Sequence, residues 1–219
     1  MARNRTDQRE GDDMKARTFA IGSAAAVLAL VGGTFAWTVA RSGGDLADCL
    51  GGQVAGGAIG GPFELVDEAG ATVTSEEVLT EPTLLYFGYT FCPDVCPLDT
   101  ARNATALDLL AERGIEAQGV FVTVDPTRDT PEVLADFTDS FHPDIRGLSG
   151  TTEQVDAAAK AYKVYYQLHD DEDPDYYLVD HSNFTYLVLP ERGFVDFFRA
   201  DASPDAVAER TACVVDAVN

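Results

Sequence analysis

Apolar and polar positions follow one another along this chain in three regimes. Residues 19–40, FAIGSAAAVLALVGGTFAWTVA, are 22 uncharged and mostly apolar positions, a length suited to crossing a hydrocarbon core ~30 Å thick as one helix. Residues 42–61 hold eight glycines in twenty positions, the composition of a flexible linker. From Pro62 onward, short apolar runs alternate with stretches of helical period. Phe63 and Leu65 alternate, Glu68-Ala69-Gly70 turns, and Thr72-Val73-Thr74 returns, which predicts a β-hairpin. The run Thr83–Phe87 lies between Pro82 and Gly88 and is apolar almost throughout, as in a strand buried on both faces.

The remaining elements follow from period and caps. A helix is expected from about Pro97 to 112, with Leu98, Ala101, Leu107 and Leu110 inward and Gly114 closing it. Ile115–Val124 reads as a buried strand, and Thr130-Pro131 as the cap and first residue of a helix to about Ser140. A short strand at 145–148, a helix over Thr151–Ala161, the segment Tyr162–Leu168 and a polar hairpin HDDEDPD at 169–175 come next. Strands Asn183–Leu189 and Phe194–Phe198, joined by Pro190–Gly193, precede a helix from Ser203-Pro204 to about Val218. Strands alternating with helices and ending in a hairpin and a helix give an α/β fold of thioredoxin type, with the N-terminal β-hairpin ahead of it. No internal repeat is visible.

Charge gives the chain an orientation. Arg3, Arg5, Arg9, Lys15 and Arg17 precede the apolar span and only Arg41 closely follows it. The positive-inside rule therefore places residues 1–18 in the cytoplasm, 19–40 as a single transmembrane anchor and the rest in the periplasm. A cleaved signal peptide is the alternative, but its apolar core is usually shorter. Past Arg41 there are 9 Lys and Arg against 33 Asp and Glu, a net of −24. That excludes nucleic acid as a natural partner and suits docking of a cationic protein or a metal ion.

The chemistry concentrates at Cys92 and Cys96 in FCPDVCP, just past the end of the strand 83–87, where open α/β sheets carry their sites. With the helix starting near Cys96, both sulfurs lie by its positive end, which favours thiolates. The spacing alone fits a structural disulfide or a metal-free redox pair, although thioredoxin-type redox pairs usually have two intervening residues rather than three. His181, in YYLVDHSNFTY, precedes a core strand whose entering loop should face the cysteines. Two thiolates and one imidazole make a soft, low-coordinate set suited to Cu(I), whereas zinc usually takes a fourth ligand. His142 and His169 read as solvated loop residues.

The runs GGPFELVDEAG, LLYFGYTFCPDVCP, VTVDPTRDTPE, RGLSGT and VDHSNFTYLVLPERG, in this order and spacing, resemble the Sco/SenC family of copper chaperones for cytochrome c oxidase assembly. The resemblance spans roughly residues 58–200. It implies a thioredoxin fold, an N-terminal anchor, and copper held at Cys92, Cys96 and His181, with Cu(I) the ion that the donor set suits and a part for Cu(II) left open. It also implies delivery to the copper A centre of the oxidase, with the copper-bearing oxidase subunit and other copper carriers or thiol reductants as partners. A thiol–disulfide reductase that keeps the oxidase cysteines reduced through Cys92 and Cys96 is the alternative activity. Phe91 stands where many relatives have histidine. Cys49 and Cys213 fall outside the shared motifs, near the two ends of the domain, and read either as a disulfide tying the linker to the last helix or as separate thiols. Asp125 in VDPTRD either supports the site from behind its ligands or caps the turn after its strand. The expected organisation is thus a tail at 1–18, an anchor at 19–40, a Gly-rich tether at 41–61 and a thioredoxin-like copper-binding domain at 62–219.

Overall fold

A computed structural model describes residues 46–51, 58–169 and 176–218. The expected anchor at 19–40, most of the tether and nearly all of the acidic hairpin at 169–175 lie outside these residues. Among the described residues, no helix is long and apolar enough to cross a membrane.

Seven strands form one sheet. Strands β1 (Glu64–Asp67) and β2 (Thr72–Thr74) make the expected hairpin, a short helix α1 (Leu46–Cys49) precedes them, and α2 (Ser75–Val78) follows. In the hairpin turn Gly70 takes φ +77°, a left-handed conformation that glycine adopts without steric cost. Next come β3 (Thr83–Gly88), α3 (Val95–Glu112), β4 (Gln118–Thr123), α4 (Pro131–Asp139), β5 (Ile145–Ser149) and α5 (Thr152–Ala161). The chain ends with β6 (Tyr166–Leu168), β7 (Val179–His181), β8 (Thr185–Leu189), β9 (Gly193–Phe198) and α6 (Pro204–Val218).

The sheet order is β2-β1-β5-β4-β3-β8-β9. Strands β3, β4 and β5 are parallel, and β1 and β8 run antiparallel to their neighbours in that core. All six residues of β3 and all six of β4 are buried, as expected of central strands covered on both faces. The register explains where a site can form. Gly88 pairs with Thr123, so β3 and β4 end side by side, and Tyr86 pairs with Thr185, so antiparallel β8 begins at the same edge. The loops after β3 and β4 and the segment entering β8 therefore meet at the carboxyl edge of the parallel strands.

Helix caps match the expected chemistry. The Thr130 hydroxyl accepts from Val133 N at 3.4 Å with Pro131 at the helix start, and Thr151 and Gln154 form a capping box on α5.

The inner face of α3 departs from the expectation. Leu98 is 65% exposed and Ala101 is also exposed, whereas Asp99, Arg102 and Asn103 are buried with Cys96, Leu107 and Leu110. The first half of α3 covers a polar layer instead of an apolar one. Arg102 Nη1 donates to Asp99 Oδ1 at 2.6 Å, and Nη2 donates to the Thr185 hydroxyl at 2.7 Å. The carbonyls of Arg199 and Ala200 accept from Nη1 at 3.3 and 3.2 Å. A buried guanidinium with a carboxylate and carbonyl acceptors satisfies the requirement that interior charges be paired.

The folded unit also reaches further back than Pro62. Residues from Leu46 belong to it, because Cys49 and Cys213 form a disulfide with Cα atoms 5.6 Å apart. Gly51 N donates to Asp196 Oδ2 at 3.0 Å, and Arg210 pairs with the same carboxylate at 3.4 Å. Part of the expected tether is thus fastened to α6 and β9.

Candidate metal centre

The site begins where β3 stops. A Cβ built on Gly88 would meet Tyr86 Cε1 at 2.8 Å, Cys96 Sγ at 3.0 Å and Phe121 Cζ at 3.1 Å, so only glycine lets the cysteine loop turn this close to the strand. The loop 89–94 then crosses the sheet edge to α3. Asp94 caps that helix without a side-chain hydrogen bond. Instead, Cys92 Sγ accepts from Cys96 N at 3.5 Å, so a sulfur occupies the anion position of the helix N-terminus.

The two thiols are unlike. Cys92 is 9% exposed and Cys96 fully buried. A hydrogen bond from Cys96, and then the backbone N–H groups of Asp94, Cys96 and Val95, hold the Cys92 thiol well below its ordinary range against the effect of burial. The same hydrogen bond to Cys92, followed by burial, pushes Cys96 upward. In the metal-free dithiol the first proton leaves Cys92, and Cys96 keeps its own between the neighbouring thiolate and His181 Nε2.

His181 completes the group from β7. Its Nδ1 faces the Ser182 carbonyl at 3.1 Å, which assigns the proton to Nδ1 and leaves the Nε2 lone pair toward Cys96 Sγ, 3.2 Å away. The rings of Tyr86 and Tyr89 stand edge-on to the imidazole at 6.1 and 5.8 Å. Ligand atoms of Cys92, Cys96 and His181 all lie within 4.8 Å of one another. Bonds of about 2.0–2.3 Å to a shared ion place such atoms roughly 3.5–4 Å apart, so the three converge on a site that needs little movement to close. His181 is the last residue of β7, paired with Tyr166, rather than part of a free loop before β8. The pairing arises because the end of the segment Tyr162–Leu168 returns as β6 (Tyr166–Leu168) alongside it.

The other two histidines stay away. His142 Nε2 lies 3.3 Å from Asp108 Oδ1, and its Nδ1 accepts from Asp144 N at 3.1 Å, so it bridges α3 to the turn before β5 instead of standing free in solvent. His169 Nε2 lies 2.9 Å from Asp180 Oδ2 at the outer side of the β6–β7 ribbon.

Support for the cysteine loop comes from residues that periodicity does not single out. Asp129 is fully buried, and its carboxylate accepts from Thr90 N at 3.0 Å, the Thr90 hydroxyl at 2.5 Å and the Thr123 hydroxyl at 2.6 Å. Burial raises its pKa while these bonds oppose the shift. Asp125 turns its carboxylate to residues other than the cysteines. Its carboxylate accepts from the Tyr177 hydroxyl at 2.7 Å and from Arg128 Nε at 2.5 Å. The signal for both was the turn VDPTRD itself: two acids and an arginine directly after a strand buried on both faces.

Fold and site together define a thioredoxin-like protein with a cysteine pair at the sheet edge and a histidine opposite. The SCO1/SenC sequence profile matches residues 52–216, and the chain belongs to that family. It is 50% identical over 208 residues to Protein SenC of Rhodobacter capsulatus, covering 94% of each chain. It is 41% identical over 153 residues to Protein SCO1 homolog 1, mitochondrial, of Arabidopsis thaliana, across 69% of this chain and 46% of that one. Among solved structures, Arabidopsis ScoI with copper bound superposes at a TM-score of 0.66 with 39% identity, over 73% of this chain and 98% of that chain. Yeast Sco1 with copper bound does so at 0.67 with 38% identity, over 71% and 87%.

Proposed function

We propose that the protein is a membrane-anchored copper carrier that holds copper through Cys92, Cys96 and His181 and delivers it to the copper A centre of cytochrome c oxidase. The observation that carries this reading is the convergence of two thiol sulfurs and an oriented imidazole nitrogen within 4.8 Å. It is supported by the copper bound in two structures of the same fold at 38–39% identity. Copper is cargo here. The deprotonated Cys92 and the Nε2 lone pair are ready to accept the ion, and Cys96 releases its proton as its sulfur bonds. Residues 19–40 serve as the anchor, with residues 42–219 in the periplasm and the acidic exterior turned to the copper-bearing oxidase subunit.

The direct test is a Cu(I) titration of the reduced chain against a competing chelator. His181→Ala should weaken binding by more than about tenfold, ~1.4 kcal/mol. Equal affinities would overturn the reading. Protease added to spheroplasts should remove the C-terminal domain, and protection would overturn the topology.

A second activity is favoured by the inequality of the two thiols. Cys92 is the more accessible and more acidic sulfur, the disposition of an attacking thiol. As a thiol–disulfide reductase, its thiolate would attack a partner disulfide and release one partner thiolate. Cys96 would then displace the second partner sulfur and close Cys92–Cys96, so that two electrons and two protons pass to the partner. That chemistry does not need His181, so the same variant separates the two activities.

A further inference from the structure

The strand that delivers His181 is not hydrogen-bonded into the main sheet. Among the described residues, strands β6 and β7 pair only with each other, over Tyr166–His181, Gln167–Asp180 and Leu168–Val179. A two-stranded ribbon is marginal by itself, so side chains help to hold it against the cysteine loop. The Tyr89 side chain meets the backbone of Val179 in β7, and a second side chain reaches both walls. Arg128, in the turn after β4, lies with its guanidinium 3.5 Å from the ring centroid of Tyr177, 5.0 Å from that of Phe91 and 5.7 Å from that of Tyr89. Tyr89 and Phe91 belong to the cysteine loop, and Tyr177 lies four residues before His181. Arg128 Nη1 also donates to the Tyr177 carbonyl at 2.9 Å.

The arrangement is built rather than incidental. The Arg128 side chain is 12% exposed and that of its partner Asp125 not at all. Asp125 uses one oxygen for Arg128 and the other for the Tyr177 hydroxyl, so guanidinium, carboxylate and phenol close a ring of contacts. Desolvation strengthens both the ion pair and the cation–π contacts. Arginine is suited to the place because its planar head can pair and stack at once, which a lysine cannot.

From this we infer that Arg128 is a positioning residue for the third metal ligand: it clasps the ribbon through Tyr177 to the cysteine loop through Phe91 and Tyr89, and so keeps His181 within reach of the two sulfurs. The inference rests on the reading of Cys92, Cys96 and His181 as a copper site. Without the clasp the ribbon keeps its Tyr89–Val179 contact but samples more positions in which Nε2 does not face the cysteines. Apparent affinity then falls in proportion to the competent fraction. The effect should lie within the roughly ten- to hundredfold range of residues that orient metal ligands.

A double-mutant cycle on the reduced full-length chain tests this, with Cu(I) affinity read against a competing chromogenic chelator. Arg128→Met should lower affinity by about tenfold or more, whereas in a His181→Ala background the same change should alter it less than about twofold, because there is no third ligand left to position. Arg128→Lys keeps a cation beside Asp125 and guards against a variant that fails to fold; it loses the planar stack and should still bind more weakly than wild type. Wild-type affinity in Arg128→Lys, or an equal loss with and without His181, overturns the clasp. A tenfold loss in His181→Ala with none in Arg128→Met overturns it while leaving the metal site standing. An unchanged affinity in His181→Ala alone overturns the metal site, and the clasp with it.

Discussion

The chain holds two cysteine pairs, and their surroundings give them opposite characters. Cys49 and Cys213 are 164 residues apart in sequence, sit on α1 and α6, and are joined. Cys92 and Cys96 are four residues apart and remain free thiols. Around Cys92 are backbone N–H donors at the start of α3, and beside Cys96 is an imidazole nitrogen at 3.2 Å. Around the joined pair the neighbouring polar contacts, Gly51 and Arg210 on Asp196, hold the chain in place and leave the sulfurs alone. The same atom type is a fastening where only packing surrounds it, and a reactive thiol where donors and a base are aimed at it.

The sharpest way to break this comparison is to remove one sulfur from each pair. Cys92→Ser or Cys96→Ser should lower Cu(I) affinity by at least about a thousandfold, ~4 kcal/mol, in chelator competition, with the fold retained by circular dichroism. Cys213→Ser should do the reverse. Opening the disulfide should lower stability by about 2–5 kcal/mol in denaturant unfolding, and leave copper affinity within about twofold of wild type. A large loss of copper affinity in Cys213→Ser would mean that the two pairs are not separable.

A smaller effect sharpens the contrast in packing. Gly88→Ala forces a methyl toward Cys96 Sγ, Tyr86 and Phe121, and the overpacking should cost about 1–3 kcal/mol. Copper affinity should fall with it, because the displaced atom is a proposed ligand. Gly70→Ala has open space around its Cβ but a positive φ; it should lower stability without touching copper.

A further effect is in pH. In the reduced, metal-free protein Cys92 is deprotonated below the ordinary thiol range, near 8.5, whereas in the unfolded chain both thiols keep their protons there. The unfolded state then binds one more proton, and the dithiol's contribution to stability rises with pH by about 1.4 kcal/mol per unit. Above the ordinary range the unfolded chain loses both protons while Cys96, raised in the fold, retains one, so the contribution falls again. Subtracting the unfolding profile of a Cys92→Ser, Cys96→Ser double variant should leave a maximum near the ordinary thiol pKa. A flat difference would remove the account of unequal thiols. The joined pair, with no proton to lose, should leave no such trace.

What could be read in the sequence was whatever depends on short-range pattern. The buried run at Thr83–Phe87, the Thr130-Pro131 and Thr151 helix starts and the turn at Gly70 are local decisions, and the fold keeps them. Cys92, Cys96 and His181 could be singled out because the sheet register fixes which loops share an edge. The inner face of α3 could not, since apolar spacing points to Leu98 and Ala101 while the helix buries Asp99, Arg102 and Asn103 against Thr185 and the carbonyls before α6. Such a layer becomes favourable only when partners from distant segments arrive together. For the same reason, Asp129 and Arg128 are ordinary turn residues in one dimension and supports of the cysteine loop in three.

The joining of Cys49 to Cys213 has a topological consequence. It turns residues 49–213 into a covalent ring that contains every strand of the sheet and all three residues of the candidate metal centre. A single backbone cut anywhere between those two cysteines leaves the protein in one piece, so a nicked molecule can keep its cargo site assembled and comes apart only when a reductant opens the ring.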